Sequence, residues 1–498
     1  MISDSANDNA EPHQTQQNNQ KKRNQKMNKK RMMLNTEYIT KIRAEREKKR
    51  ELEREYRMKH GFEPDIPSEL QFIKRPLLTL HDDDPVKGTM LKIMTYNCLA
   101  QSLIQRDLFP GSGQALKWVR RSKVLLNELK YYDSDLLSLQ EIDFVQFKQY
   151  WKIVLAKLGY DCEFYKKNGK IHGVLIAWKR NLFAKVKSLP IDFDETLSGT
   201  IKPRTRTKNV GLVIALEFLN KDKSAIKKKG VIIGTTHLFW HLFGTFERTR
   251  QCYVMMDQMD KFMKKLGGIE KWYPFFTGDF NSQPKDAPYV SITSKPVSFQ
   301  NETKIVIECS AAYKYSKKRN GEEEEKNEGK EKQHEIDSSD SSDAETDEEK
   351  EEIIPNQPSN ARPLHFTPTR EQAELVSQLA ALHNSLNLRA ISLYSVGYRK
   401  VDPENAYINN DRGEPELSEW ARMWSGLLDY IFFLQHWDGK TNHEKVDSLK
   451  TFERENNVKL RGLLKMPQSK EMCEHAIPYK GEYPSDHLCM MIQLELLE

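Results

Sequence analysis

Short apolar runs that stop on a polar or ionisable residue recur along this chain, and they define its elements. LKIMTYNCLA is a strand-type run ending at Asn97, and SDLLSLQEI (134–142) is a buried strand ending at Glu141. Between them, QALKWVRRSKVLLNELK (114–130) has helical spacing. A helix near 144–158, a strand pair at 160–166 and 172–178, and strands near 210–218 and 230–236 follow; GVIIGTTH closes on His237. In 247–266, Cys252, Met255, Met256, Met259, Phe262, Met263 and Leu266 recur at helical spacing, which predicts an amphipathic helix whose methionines pack in a core. WYPFFTGDFN is a strand ending at Asp279 and Asn281. A helix at 370–387 carries Leu375, Leu379, Leu382 and Leu386 on one face, with His383 beside them in a structural role. AISLYSVGY, GLLDYIFFL and SDHLCMMIQLEL close the chain.

The flanks read differently. Residues 1–35 are polar and end in KKRNQKMNKKR, a basic tail expected to be disordered, whether as a solvated end, an import signal or a phosphate-binding arm. Residues 36–60 alternate Glu with Lys and Arg among strong helix formers, the pattern of a charged helix, which Gly61, Pro64 and Pro67 end. A linker is expected over 61–89 and a folded body over 90–498, interrupted at about 316–356 by an acidic loop too polar to order itself. That loop and the basic arm are candidate interaction tails.

Charge sharpens this division. The net charge of +6 conceals 13 Lys/Arg against 3 Glu in 21–50, and 16 Asp/Glu against 4 Lys in 320–352. The remainder is mildly basic, which suits a polyanionic partner and equally suits plain solubility. No run approaches the roughly 18 apolar residues of a membrane span. The N-terminus has neither an apolar signal core nor an Arg-rich amphipathic presequence. The six cysteines form no CxxC pair, as expected for reduced thiols in the cytoplasm, the nucleus or both.

The chemistry lies where the apolar runs stop: Asn97, Glu141, His237, Asp279 with Asn281, Asp429, and Asp486 with His487. Strands fix backbone position, so side chains at several strand ends can converge on one rim of a sheet. A lone Asp at a strand end is ordinarily a turn residue; six such places supplying acids, imidazoles and amides are a set. In GDFN, Asp279 and Asn281 lie two residues apart and face one side in extended chain. Glu141 is a hard oxygen ligand of the kind Mg²⁺ prefers, and this set offers no cysteine and no His pair at zinc spacing.

In order, MTYNCLAQ, LQEID, TTHLFW, GDFNSQP, LLDYIF and YPSDHL resemble the endonuclease/exonuclease/phosphatase superfamily in its carbon-catabolite-repressor and nocturnin-like branch. RRSKVLLNE and ISLYSVGY extend the resemblance to the fungal Ngl RNA exonucleases. It spans about residues 90–498 and implies an α/β catalytic domain of DNase I-like type. That fold is a four-layer αββα sandwich of two packed mixed β-sheets. It also implies Mg²⁺-dependent 3′–5′ exonuclease action on RNA, with one or two ions and Mn²⁺ as a substitute. Glu141 would hold the metal, with Asn97 and Asp486 on the ion or its waters. Asp279 would orient the attacking water, Asn281 would grip the phosphate, and His237 would stabilise charge on a phosphate oxygen. Asp429 would hold His487 in one tautomer, and either Asp279 or His487 removes the proton. Trp424 falls where deadenylases carry an adenine-stacking aromatic; packing in the WARMW segment is the alternative. Relatives have a proline shortly after HLFW where this chain has Leu242, so poly(A) preference is not implied.

Two other readings differ in class. A phosphatase of a small phosphorylated metabolite stays within the superfamily, but the inositol phosphatase string PAWCDR is absent and LLDYIF stands in its place. A catalytically silent RNA-binding scaffold would be expected to lose at least one of the six motifs, and all are intact.

Overall fold

The computed structural model describes residues 40–49, 51–52, 67, 70–219, 228–316, 357–421 and 424–497. The expected basic tail and nearly all of the acidic loop lie outside the described residues. Residues 40–49 and 51–52 are helical and belong to a unit ending at Asp65, separate from the body that starts at Ile66. Among the described residues no helix is long and apolar enough to cross a membrane.

Among the described residues the body holds fifteen strands. In chain order they are β1 (Leu77–Thr79), β2 (Thr89–Asn97), β3 (Leu136–Asp143), β4 (Tyr160–Tyr165), β5 (His172–Lys179), β6 (Phe183–Asp192), β7 (Val210–Phe218) and β8 (Gly230–His237). There follow β9 (Trp272–Asp279), β10 (Leu388–Ser392), β11 (Glu419–Trp420), β12 (Ser425–Gly426), β13 (Asp429–His436), β14 (Val458–Leu464) and β15 (Met490–Leu496). One sheet runs β1-β14-β15-β2-β3-β5-β4 and the other β10-β13-β9-β8-β7-β6, with β11 and β12 a small hairpin. Among the described residues β2/β3 and β8/β9 are the parallel pairs, so both sheets are mixed.

Alternation along the strands builds the layers. On β2, Leu91 and Ile93 join the large core between the sheets, while Met94 and Tyr96 join a second core beneath the helix Trp118–Tyr132. On β5, Val174, Ile176 and Trp178 face inward and Leu175 and Ala177 outward, the period-two pattern of a strand buried on both faces. The helix Thr245–Lys265 covers the other sheet, and Met255, Met256, Met259 and Met263 are buried in its core as the spacing predicts. Its approach is close: a Cβ at Gly234 would lie 2.7 Å from Met255 and 2.8 Å from Met259. The result is the expected four-layer αββα sandwich.

Residues 61–89 are not wholly a linker. Phe72 is buried, Ile73 N–H donates to the Glu482 carbonyl at 2.9 Å, and Leu77–Thr79 pairs with β14. The run is three residues long and follows Pro76, too short to show a period. AISLYSVGY also divides, because Ser392 ends β10 and its hydroxyl accepts from Ser395 N–H, capping the helix Leu393–Val401.

Candidate active site

Strand register gathers the predicted residues. His237 and Asp279 end the parallel strands β8 and β9 side by side, and Asp429 begins the antiparallel β13 opposite Asp279. Asn97 ends β2 beside Gln140 on β3, and β15 starts at Met490 opposite Thr95, so Asp486 and His487 precede it at the same end. Parallel strands thus contribute their C-terminal ends and antiparallel neighbours their N-terminal ends to one rim. Beneath it, Gln140 Nε2 donates to Thr95 Oγ1 at 3.2 Å and to Thr235 Oγ1 of the other sheet at 2.9 Å.

At Glu141 the β3–β5 register slips between Leu139 and Ile142, and Glu141 has φ 56°. This bulge re-aims the carboxylate out of the strand's alternation. Its Oε2 accepts from Ala100 N–H at 2.8 Å and its Oε1 from Asn97 Nδ2 at 3.0 Å. The same Asn97 amide donates to Asp279 Oδ2 at 2.9 Å, while Asn97 Oδ1 accepts from Leu99 N–H at 3.0 Å. Asn97 is therefore a wholly buried donor strung between two carboxylates.

Asp279 receives Asn281 N–H on Oδ1 at 2.8 Å, and Asn281, at φ 46°, donates Nδ2 to the Leu238 carbonyl at 3.0 Å. Gly278 makes this approach possible, since its φ is 137° and a Cβ there would meet the Thr236 carbonyl oxygen at 2.1 Å. His237 lies 3.5 Å from Asp279 Oδ2 through Nε2 and 3.9 Å from Glu141 Oε1 through Nδ1. Opposite, His487 Nδ1 sits 2.8 Å from Asp429 Oδ2, which also accepts Ser418 Oγ at 2.7 Å. His487 Nε2 then faces Asp279 at 3.7 Å and Glu419 at 3.8 Å.

Electrostatics follow from this crowding. Burial disfavours the His487 imidazolium, but Asp429, Asp279 and Glu419 outweigh it and raise its pKa well above the usual value. Burial and neighbouring acids push Glu419 up to about 8 against the pull of His487. Asp486 rises to about 6 through burial and the Glu141 charge, against His487 and Arg121. The carboxylates Glu141, Asp279, Glu419, Asp429 and Asp486 thus cluster with His237, His487 and Arg121 at the rim. This hard, oxygen-rich donor set fits a divalent cation.

The rim opens into a cleft of about 420 Å³ lined by Glu141, His237, Asp279, Asn281, Asp486 and His487. Trp424 and Trp240 stand on its wall, 54% and 40% exposed, so Trp424 is not packed in a core. Asn97 and Asp429 lie directly behind the lining. Sequence reasoning missed Glu419, because β11 has two residues and no apolar run. It also missed Ser418, and Arg121, whose buried guanidinium donates to the carbonyls of Cys98, Leu99 and Pro484, tying the loop after Asn97 to the approach to Asp486. RRSKVLLNE contains Arg121, but helical spacing alone gives it no role.

An acid-lined rim with a buried His–Asp couple, carried on two face-packed sheets, defines a class of phosphoester hydrolase. The chain belongs to the endonuclease/exonuclease/phosphatase family, whose model matches residues 94–328. It is 51% identical over 492 residues to RNA exonuclease NGL2 of Saccharomyces cerevisiae, across 96% of this chain and 92% of that protein. It is 35% identical over 439 residues to the probable RNA exonuclease C9B6.11c of Schizosaccharomyces pombe, across 86% and 81% of the two chains. The crystal structure of ANGEL2, described as a 2′,3′-cyclic phosphatase, shares the fold at a TM-score of 0.51 and 19% identity, covering 85% of this chain and 98% of that one. The protein is an enzyme of the nuclease type.

Proposed function

We propose that the protein is a Mg²⁺-dependent 3′–5′ exonuclease of RNA. One observation carries the reading: side chains from the ends of both sheets meet within hydrogen-bond or ion-pair distance along one cleft. Its relatives' names supply the substrate class. Glu141, with Asp486, would hold the ion, which supplies positive charge at a phosphate oxygen when bound. Asp279, held by Asn97 and the Asn281 backbone, is placed to orient a water and accept its proton. Asn281 spends one amide N–H on the Leu238 carbonyl and keeps a second to offer a phosphate oxygen. His237 adds a donor at the same edge, and His487, fixed by Asp429 and surrounded by acids, offers a proton or positive charge to developing negative charge. Trp424 gives a base a stacking face.

The test is a panel of 5′-labelled RNAs, with and without A-tails, incubated with the purified protein and Mg²⁺. A ladder shortening from the 3′ end is expected, abolished in Glu141→Gln. A single internal cut, or intact RNA alongside turnover of small phosphomonoesters, would overturn the reading.

A further inference from the structure

Away from the cleft, the segment 473–482 brings together three side chains that catalysis does not use. Glu482 N–H donates to the Tyr479 carbonyl at 3.2 Å and Tyr479 N–H to the Tyr483 carbonyl at 3.0 Å. This turn folds Glu482 back onto Cys473 and His475. His475 Nε2 lies 3.1 and 3.2 Å from the two Glu482 carboxylate oxygens, and Cys473 Sγ lies 3.3 Å from Oε1. The three ligand atoms all fall within 4.8 Å of one another. Ligands of a tetrahedral zinc ion, at about 2.0–2.3 Å from the metal, stand roughly 3.3–3.6 Å apart. Two of the three separations, Sγ–Oε1 at 3.3 Å and Nε2–Oε at 3.1 and 3.2 Å, already lie near such an edge.

The donor chemistry differs from that of the rim. A thiolate and an imidazole select a borderline-soft ion, where the rim's carboxylates select a hard one. The Glu482 side chain is 7% exposed, and among the described residues His475 is the cationic partner within ion-pair distance. His475 is 29% exposed, which leaves a path for an ion and a solvent fourth ligand. We propose that Cys473, His475 and Glu482 bind one zinc-class ion, the thiol proton passing to solvent.

The site is wired to the catalytic rim. Trp420 Nε1 donates to the carbonyls of Cys473 and His475 at 3.0 and 3.1 Å, and Trp420 N–H donates to the Asp486 carbonyl at 2.9 Å. The ion thus clamps the strand neighbour of Asp486 without entering the chemistry.

The test uses the full chain, reduced and metal-free, in excess Mg²⁺ to fill the rim, with Co²⁺ as the probe. One equivalent should give thiolate-to-cobalt charge-transfer absorption that Zn²⁺ abolishes. The band should vanish in Cys473→Ser. Losing a direct ligand costs at least what losing an outer partner does, so Co²⁺ should bind Glu482→Gln, which keeps the thiol, about tenfold or more weakly. Far-UV circular dichroism checks that each variant is folded. No band in the wild type, a band that persists in Cys473→Ser, or unchanged affinity in folded Glu482→Gln would overturn the site.

Discussion

Replacing Asn97 separates two roles that the position could play. If its value lay in offering a carbonyl to a metal, Asp would serve as well as Asn. The hydrogen bonds say otherwise, because Oδ1 is taken by Leu99 N–H while Nδ2 donates to Glu141 and Asp279 at 3.0 and 2.9 Å. Hydrogen bonds to charged acceptors contribute about 1.5–3 kcal/mol each, and two sharing one amide do not add fully. Taking about 3 kcal/mol for the pair, Asn97→Ala should lower kcat/KM about a hundredfold. Asn97→Asp should fall at least as far, because it sets a third carboxylate between two others. The assay is single-turnover cleavage of a labelled RNA across a Mg²⁺ titration, with thermal melting as the control for folding. If folded Asn97→Asp stays within about threefold of wild type, a loss of only about 0.7 kcal/mol, the donor assignment fails.

Three further outcomes follow from the same geometry. Asp429→Asn keeps the shape beside His487 but removes the charge, and kcat should drop roughly tenfold to a hundredfold with little change in KM; an unchanged kcat would leave the His–Asp couple without a role. Trp424→Ala should raise KM for oligoadenylate about fivefold or more, as loss of a stacking face predicts, and leave an abasic backbone unaffected; equal effects on both would point to a structural tryptophan. His383 is buried against the Thr249 carbonyl, and burial, with Lys295 nearby, lowers its pKa from 6.5 to about 3. The unfolded chain therefore takes up this proton first as pH falls, and the stabilisation from a neutral His383 is complete above pH 6.5 and erodes below it. The loss amounts to at most about 1.4 kcal/mol per pH unit. His383→Gln should show a shallower decline in denaturant midpoint between pH 6 and 4, and parallel curves would refute the buried neutral imidazole.

Much of the site was legible because its signal is local. An apolar run that stops on Asp, Glu, Asn or His marks a strand end, and strand ends of a mixed sheet pair share a rim once the register is set. The methionines of 247–266 were equally plain, their spacing being one helix face. Other parts carry no such mark. Glu419 reaches His487 from a two-residue strand, and β6 lies at a sheet edge with a mostly exposed pattern that shows no apolar stripe. Arg121 acts through three distant carbonyls, which only tertiary structure brings near. The trio at Cys473 depends on a turn, and spacing of two and seven residues matches no familiar ligand string.

The side chain of Gln140 reaches from one sheet to a threonine of the other just below the rim. Half of the reactive groups thus ride on one slab and half on its neighbour, and the working geometry is a seam between two bodies. Interior repacking that slides the slabs by about 1 Å, well away from any substrate, should detune hydrolysis as surely as a lost acid. Variation in the layer between the sheets, where Ile93 and Ile176 sit, is therefore a handle on rate, and selection for speed would be felt there as well as at the mouth.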